Sequence, residues 1–288
     1  MDIKGIWNIK GEKLMQEIHS TEKNIHIEAG EIELGKEVIL GTNIKIKVKG
    51  LFRLGDYGNL GHDVFMRASY IDIGPHFFHM EPGLKIGGGG SSFPDAVLKV
   101  GARCVFHNNY INLARPIEIG DDVGLSPGSE LLTHGFWYSI LEGYPQKYAG
   151  IKIGNNVHIG QRTMVLQGIE ITNNIVVGAN STVTKSLLEE KAIYAGTPAK
   201  FVRKIVVPPL EERIKMVWDI LNYYKLIGGK SFKSFDYPFI HIDQAFINVD
   251  TMTLEGTETI DSDKLRDLLR RYGIRIYSEI GRPFVSVM

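Results

Sequence analysis

The sequence predicts a mainly β protein, a parallel solenoid wound from six-residue repeats and followed by a small α+β extension. Three observations carry that prediction. In "IKIGNNVHIGQRTMVLQGIEITNNIVVGANSTV", Ile153, Ile159, Val165, Ile171, Val177 and Val183 keep one frame of six, and Ile151, Val157, Thr163, Ile169, Ile175 and Ser181 stand two residues before them. Between the pairs lie Gly154-Asn155-Asn156, Thr172-Asn173-Asn174 and Gly178-Ala179-Asn180, residues that accept tight or left-handed backbone at corners. After Pro208-Pro209 the frame stops and a helical stripe begins.

An i, i+2 pair is a strand period, so each pair points inward from a very short strand while Lys152, His158 or Glu170 between them points out. Strands joined by such corners stack in parallel rather than folding back, and three hexads close one coil. The same frame occurs earlier in Leu113, Ile119, Leu125 and Leu131, partnered by Ile117 and Val123. Looser traces run through "IHIEAGEIELGKEVILGTNIKIKV" and "VLKVGARCVF", with an irregular stretch at "KIGGGGSSF". Residues 1–24 read as an N-terminal cap segment, 25–205 as the solenoid and 206–288 as the extension.

From Leu131 to Ile153 is 22 residues, four more than three hexads. The segment 132–150 must therefore leave the prism and return. It carries His134, Trp137, Tyr138, Tyr144 and Tyr148, and loops that leave a rigid frame are where binding and catalysis concentrate. Trp137 and Tyr138 read as packing within that loop.

The ends of a solenoid leave open strand edges that need covering. Leu210, Ile214, Val217, Trp218, Leu221 and Tyr224 form a helical stripe suited to the last coil or to a neighbouring subunit. Beyond it, "FIHIDQAFINV" reads as a strand, "SDKLRDLLRRYG" as a short helix ended by Gly273, and "IRIYSEI" and "PFVSVM" as strands.

Composition sets limits on partners. Among 288 residues, 33 Lys and Arg balance 33 Asp and Glu, so net charge offers no footprint for nucleic acid or an acidic membrane. Cys104 is the one cysteine, which excludes an intramolecular disulfide framework and fits a reducing cytoplasm. Neither an export signal nor a membrane-spanning run is expected.

Three segments carry a resemblance: "PIEIGDDVGLSPGSELLTH", "IKIGNNVHIG", and "VVGANSTVTKSL" with "IYAGTPAKFVRKI". Together they cover roughly residues 98–205, and there the chain resembles the left-handed β-helix hexapeptide-repeat acyltransferases, within them the CoA-dependent sugar O-acetyltransferases. The resemblance implies a left-handed coil, acetyl-CoA as acyl donor, a hydroxyl of a sugar or polysaccharide precursor as acceptor, and a homotrimer with sites between adjacent prisms. It implies His134 as the catalytic base, Ala179, Thr184, Lys185, Lys200 and Arg203 along the CoA groove, and Asn108 or Asn109 at the acceptor site. His158 stands where these enzymes usually carry tryptophan, a departure from the family pattern; it points outward on a coil face and reads either as an ordinary surface histidine or as a contact to acceptor or cofactor.

The chemistry suits the residue. A sugar hydroxyl is a poor nucleophile until a base takes its proton, and imidazole, with a pKa near 6.5, is largely neutral at physiological pH. "GGGG" at 87–90 lacks the strand-to-helix setting and the Lys-Ser/Thr of a phosphate loop, and reads as a loop or coil corner. Other readings of the same residues are N-acetylation of an amino-sugar nucleotide, acetylation of an antibiotic hydroxyl, serine O-acetylation, a zinc lyase of the carbonic anhydrase kind, for which His107, His134 and His158 lack the close histidine pair, and a non-catalytic scaffold.

Overall fold

The computed structural model describes residues 4–7, 13–88 and 93–276. Gly89 and Gly90 lie outside the described residues, as do most of the strand expected at 274–280 and all of that expected at 283–288. The chain divides into two compact units, residues 1–205 and 206–288.

The first unit is the expected parallel β-solenoid, of about eight turns. All twelve positions of the six-step frame after residue 150 are buried, and those carrying hydroxyls are satisfied by the neighbouring coil. Thr163 Oγ1 donates to the Gly178 carbonyl at 2.9 Å, and Ser181 Oγ accepts from Gly196 N–H at 3.0 Å. A polar inward residue is tolerated because a coil corner lies within reach of it.

Three faces follow one another around each coil. Face I holds residues 44–48, 64–68, 85–86, 110–111, 130–131, 164–165 and 182–183. Face II runs from 51–54 through 70–73, 97–100, 117–119 and 151–153 to 170–171. Face III runs from 39–40 to 192–195. The early coils differ in one respect from the expected short strands: Ile25–Leu34 and Ile44–Leu54 each continue around the corner from face I to face II.

The corners between II and III and between III and I are regular, and they hold a left-handed residue in almost every turn. Asn43, Asn156, Asn174 and Asn180 fill that place as the sequence suggests, but so do Tyr57, His76, Arg103 and Arg162. Left-handed backbone costs a non-glycine residue about 1–2 kcal/mol. Each of these amides is fixed by the previous coil, as in Tyr57 N–H to Lys36 O (2.7 Å) and Arg103 N–H to Pro75 O (2.9 Å). A bond repeated turn after turn overrides the local preference.

The faces differ in outward chemistry. Along face II the registers align Glu33, Arg53, Asp72, Lys99, Glu118, Lys152 and Glu170, an unbroken alternation of sign that suits exposure to water. Along face III the outward row is Ile39, Asn59, Phe78, Val105, Gly124, His158, Val176 and Ile193, with no Asp, Glu, Lys or Arg.

One inward residue of face III breaks the apolar rule. His79 lies beside Phe106 of the next coil and is 2% exposed. Burial pushes its pKa below the ordinary range, opposed only in part by the backbone at Glu81. The unfolded chain therefore binds a proton near pH 6.5 that the folded chain refuses, so stability is full above that pH and falls as pH drops below it. The slope approaches about 1.4 kcal/mol per pH unit. We expect His79→Leu to reduce the acid sensitivity of the urea midpoint between pH 7.5 and 5, and an unchanged sensitivity would remove His79 from the account.

The second unit has its own core. Helix α1 (Leu210–Leu226) places Val217, Ile220, Leu221 and Tyr224 in one apolar cluster with Ile240, Ile242 and Ile247 of a four-stranded antiparallel sheet, and with Leu265 and Leu269 of helix α2 (Ile260–Arg271). Of the expected stripe, Val217, Leu221 and Tyr224 pack within this unit's own core, and Leu210 is half exposed. "FIHIDQAFINV" is likewise two strands, Phe239–Ile242 and Ala245–Asn248, turned at Asp243 in left-handed backbone. Helix α2 begins in a capping box between Thr259 and Ser262.

Candidate active site

The corner between faces I and II is the irregular one. Ten residues separate the face I strand 85–86 from the face II strand 97–100, residues 132–150 separate 130–131 from 151–153, and the short corner 112–116 lies in the coil between these two long connections, because the face I strands 85–86, 110–111 and 130–131 are consecutive neighbours. Two connections that are far apart in sequence are thus only two coils apart, about 10 Å at the usual strand spacing.

The second connection begins as expected at His134, which starts a two-stranded antiparallel hairpin and faces Tyr148 on its returning strand. Their rings stack at 5.4 Å and 10°, and Phe136 covers His134 from another side at 5.3 Å. Burial against these rings lowers the pKa of His134. At the tip, Ser139 caps a single 3₁₀ turn, Ile140–Glu142, and Gly143 closes it in left-handed backbone. Tyr138 packs against Tyr144 with the rings tilted by 36° at 4.6 Å, whereas Trp137 is 84% exposed, so the expectation that Trp137 packs within its loop does not hold.

Behind the imidazole is a hydrogen-bond network centred on the buried side chains of Asn112 and Thr133. Asn112 Oδ1 lies 2.6 Å from His134 Nδ1 and 2.8 Å from Thr133 Oγ1. Asn112 Nδ2 donates to the Gly88 carbonyl at 2.6 Å. Thr133 Oγ1 accepts from Ala114 N–H at 2.8 Å, which ties the corner 112–116 to the start of the excursion. Beside this network, Arg115 lies over Phe93 and Tyr148 at 5.3 and 5.2 Å, and its guanidinium reaches Asp95 at 3.4 Å.

The other residues singled out in the sequence are distributed as follows. Thr184 and Lys185 are exposed on the same I–II edge as His134, two coils further on. Ala179 lies at the III–I corner, and Lys200 and Arg203 lie on Lys200–Lys204, an exposed strand that pairs antiparallel with the last strand of face III. Asn108 and Asn109 also stand at the III–I corner, as coil-closing residues. Asn108 Oδ1 accepts from Gly128 N–H, while Asn109 accepts from His107 N–H and donates to Ser126 O and Ser129 Oγ. His158 is exposed on face III with Nε2 2.7 Å from Ser126 Oγ. Within one chain, then, His134, Thr184 and Lys185 share one border of face I, while Ala179, Asn108 and Asn109 share the other.

Sequence reasoning missed Asn112, Thr133, Phe93, Arg115 and the part taken by Gly88. One signal was present. "KIGGGGSSF" breaks the repeat where face I gives way to face II, the place where 132–150 breaks it again.

A family model described as the hexapeptide repeat of succinyl-transferase matches residues 150–185. A probable macrolide acetyltransferase of Lysinibacillus sphaericus is 42% identical over 67 residues, which cover 23% of this chain and 37% of that protein. The chain thus spans well under half the length of that relative. Among solved structures, a maltose O-acetyltransferase from Clostridium difficile 630 is 26% identical with a TM-score of 0.37, over 48% of this chain and 71% of that one. A hexapeptide-repeat acetyltransferase from Vibrio cholerae O1 biovar eltor, in complex with acetyl coenzyme A, is 23% identical with a TM-score of 0.35, over 49% and 72%.

Proposed function

We propose that the chain is a hexapeptide-repeat acyltransferase, a reading supported by the match at residues 150–185 and the similarity to an acetyltransferase, and within that family an acetyl-CoA-dependent O-acetyltransferase acting on a hydroxyl of a sugar or polysaccharide precursor. The observation that carries this reading is the setting of His134. It is held at the mouth of an excursion, flanked by aromatic rings, with one ring nitrogen engaged by Asn112 and its pKa lowered so that it is neutral at physiological pH.

In this reading His134 takes the proton of the acceptor hydroxyl as the oxygen attacks the thioester carbonyl. The tetrahedral intermediate collapses by breaking its carbon–sulfur bond, and the departing CoA thiolate takes the proton back from the imidazolium. No covalent acyl-enzyme is needed. A positioned base of this kind contributes about a hundred- to ten-thousandfold.

Exposed Thr184 and Lys185 lie on the His134 edge, about two strand spacings from the excursion, and Lys200 and Arg203 add positive charge near the end of the coil for the CoA phosphates. Ala179, Asn108 and Asn109 lie on the opposite edge of face I. We therefore place the complete site between copies of the chain in a homotrimer, with Asn108 and His158 presented to the acceptor or cofactor by a neighbour; Asn109, named with Asn108 from the sequence, is 1% exposed and spends its amide within its own coil, so it is set aside. The uncharged outward row of face III supports burial of that face between copies.

Acetylation of an antibiotic hydroxyl is the second reading, favoured by the similarity to a probable macrolide acetyltransferase. The test common to both is calorimetric titration of acetyl-CoA into the native protein and Lys185→Ala, with free CoA as comparator. We expect binding that the substitution weakens. Absence of binding, with or without candidate acceptors present, would return the chain to the scaffold reading.

A further inference from the structure

The hydrogen-bond network behind His134 has a direction that only one arrangement of protons satisfies. The Gly88 carbonyl can only accept, so the Asn112 atom 2.6 Å from it must be the amide nitrogen. The alternative amide orientation would set two oxygens against each other at that distance. The other end of the Asn112 side chain is therefore an oxygen, and an oxygen without hydrogens 2.6 Å from His134 Nδ1 requires that Nδ1 carry the proton. Asn112 is 3% exposed and Thr133 fully buried, so water does not compete for these positions.

We propose that Asn112, oriented by the Gly88 carbonyl, is the positioning residue that locks neutral His134 in its Nδ1–H form and leaves the lone pair of Nε2 to the acceptor hydroxyl. The proposal rests on His134 being the base. It also gives the glycine run a task. Gly88 passes so close to the site that a Cβ there would overlap Tyr110 Oη and press on Asn112 Nδ2. A side chain there must displace the Tyr110 ring or shift the Gly88 backbone and its carbonyl. An asparagine suits this role better than an aspartate, because it orients the ring without stabilising the imidazolium, and a base that held its proton more tightly would be protonated at neutral pH.

The charged groups on the elements around the ring are few. Arg115 and Asp95 face each other at 3.4 Å beyond Tyr148, and Lys147 lies opposite Gly135 on the returning strand. None of them is a hydrogen-bond partner of the imidazole.

The test is a pH titration of protein labelled with 15N-histidine, with the His134 signals assigned by their loss in His134→Gln. In the native protein the neutral imidazole is expected to show a protonated Nδ1 and an unprotonated Nε2. In Asn112→Asp the His134 pKa should rise, because a carboxylate favours the imidazolium, and the acid limb of the rate profile should move to higher pH by the same amount. Gly88→Ala, checked for a folded coil by its amide spectrum, should lose the single tautomer while retaining acetyl-CoA affinity. A native His134 that is Nε2–H, or that averages between forms, overturns the proposal, as does an unmoved pKa in Asn112→Asp. The tautomer is read without any substrate. A locked Nδ1–H signal in a protein that never transfers acetyl groups would count against the acetyltransferase reading and not against the clamp.

Discussion

His134→Gln is expected to fold as the native chain does, bind acetyl-CoA with similar affinity, and transfer acetyl groups about a hundred- to ten-thousandfold more slowly, in keeping with loss of a general base. Glutamine can still reach Asn112 and the aromatic surroundings, so the loss should fall on kcat and leave KM for acetyl-CoA near its native value. The pH profile supplies a second arm. Burial lowers the His134 pKa, so the neutral base is present at and above its ordinary titration range and is lost only as pH falls below it. The native kcat/KM should therefore rise through an acid limb below about pH 6.5 and then stay level. The variant should lack that limb. Retention of most activity in His134→Gln would remove the residue from the chemistry and turn attention to the opposite edge of face I.

Arg266→Ala should produce the largest loss of stability, and confine it to residues 206–276. The Arg266 and Glu258 side chains form an ion pair at only 2% and 3% exposure, with Asp263 on the preceding turn of α2 3.6 Å from the guanidinium. A carboxylate left buried after its cation is removed costs about 3–5 kcal/mol. That is enough to open a small unit while the coil, which has a separate core, persists. Hydrogen exchange should show lost protection at Ile240, Ile242, Ile247 and Leu265–Leu269 with no change across Ile151–Ile153 or Ile175–Val177. Arg266→Met combined with Glu258→Leu should recover part of the protection, because Glu258 is then no longer a buried carboxylate without its cation. Equal protection in native protein and Arg266→Ala would show that the pair contributes little.

The coil was legible because its signal is local. Inward and outward alternation follows from strand geometry, and the corner residues recur at fixed spacing, so twelve buried positions could be named between residues 151 and 183. The excursion was legible too, since 22 residues do not fit three hexads, and the fragment "LLTHG" marked His134 at its start. The C-terminal unit was read less well. Asp243 and Gln244 do not announce a tight turn within "FIHIDQAFINV", and the stripe of α1 does not reveal which surface it meets.

Sequence by itself thus determined the repeat, the break in it, and a histidine at the break with the chemistry of a base. Which residues meet that histidine was decided by the stacking of coils. Gly88, Asn112 and His134 are 24 and 22 residues apart and share no local pattern. They converge because each occupies the same corner in three successive coils, and because two of those coils carry extra residues there. A period fixes which side chains point inward, since that is set by neighbouring backbone angles. It does not fix which irregular corners come into register along the prism axis, because that depends on the summed lengths of every coil and insertion between them.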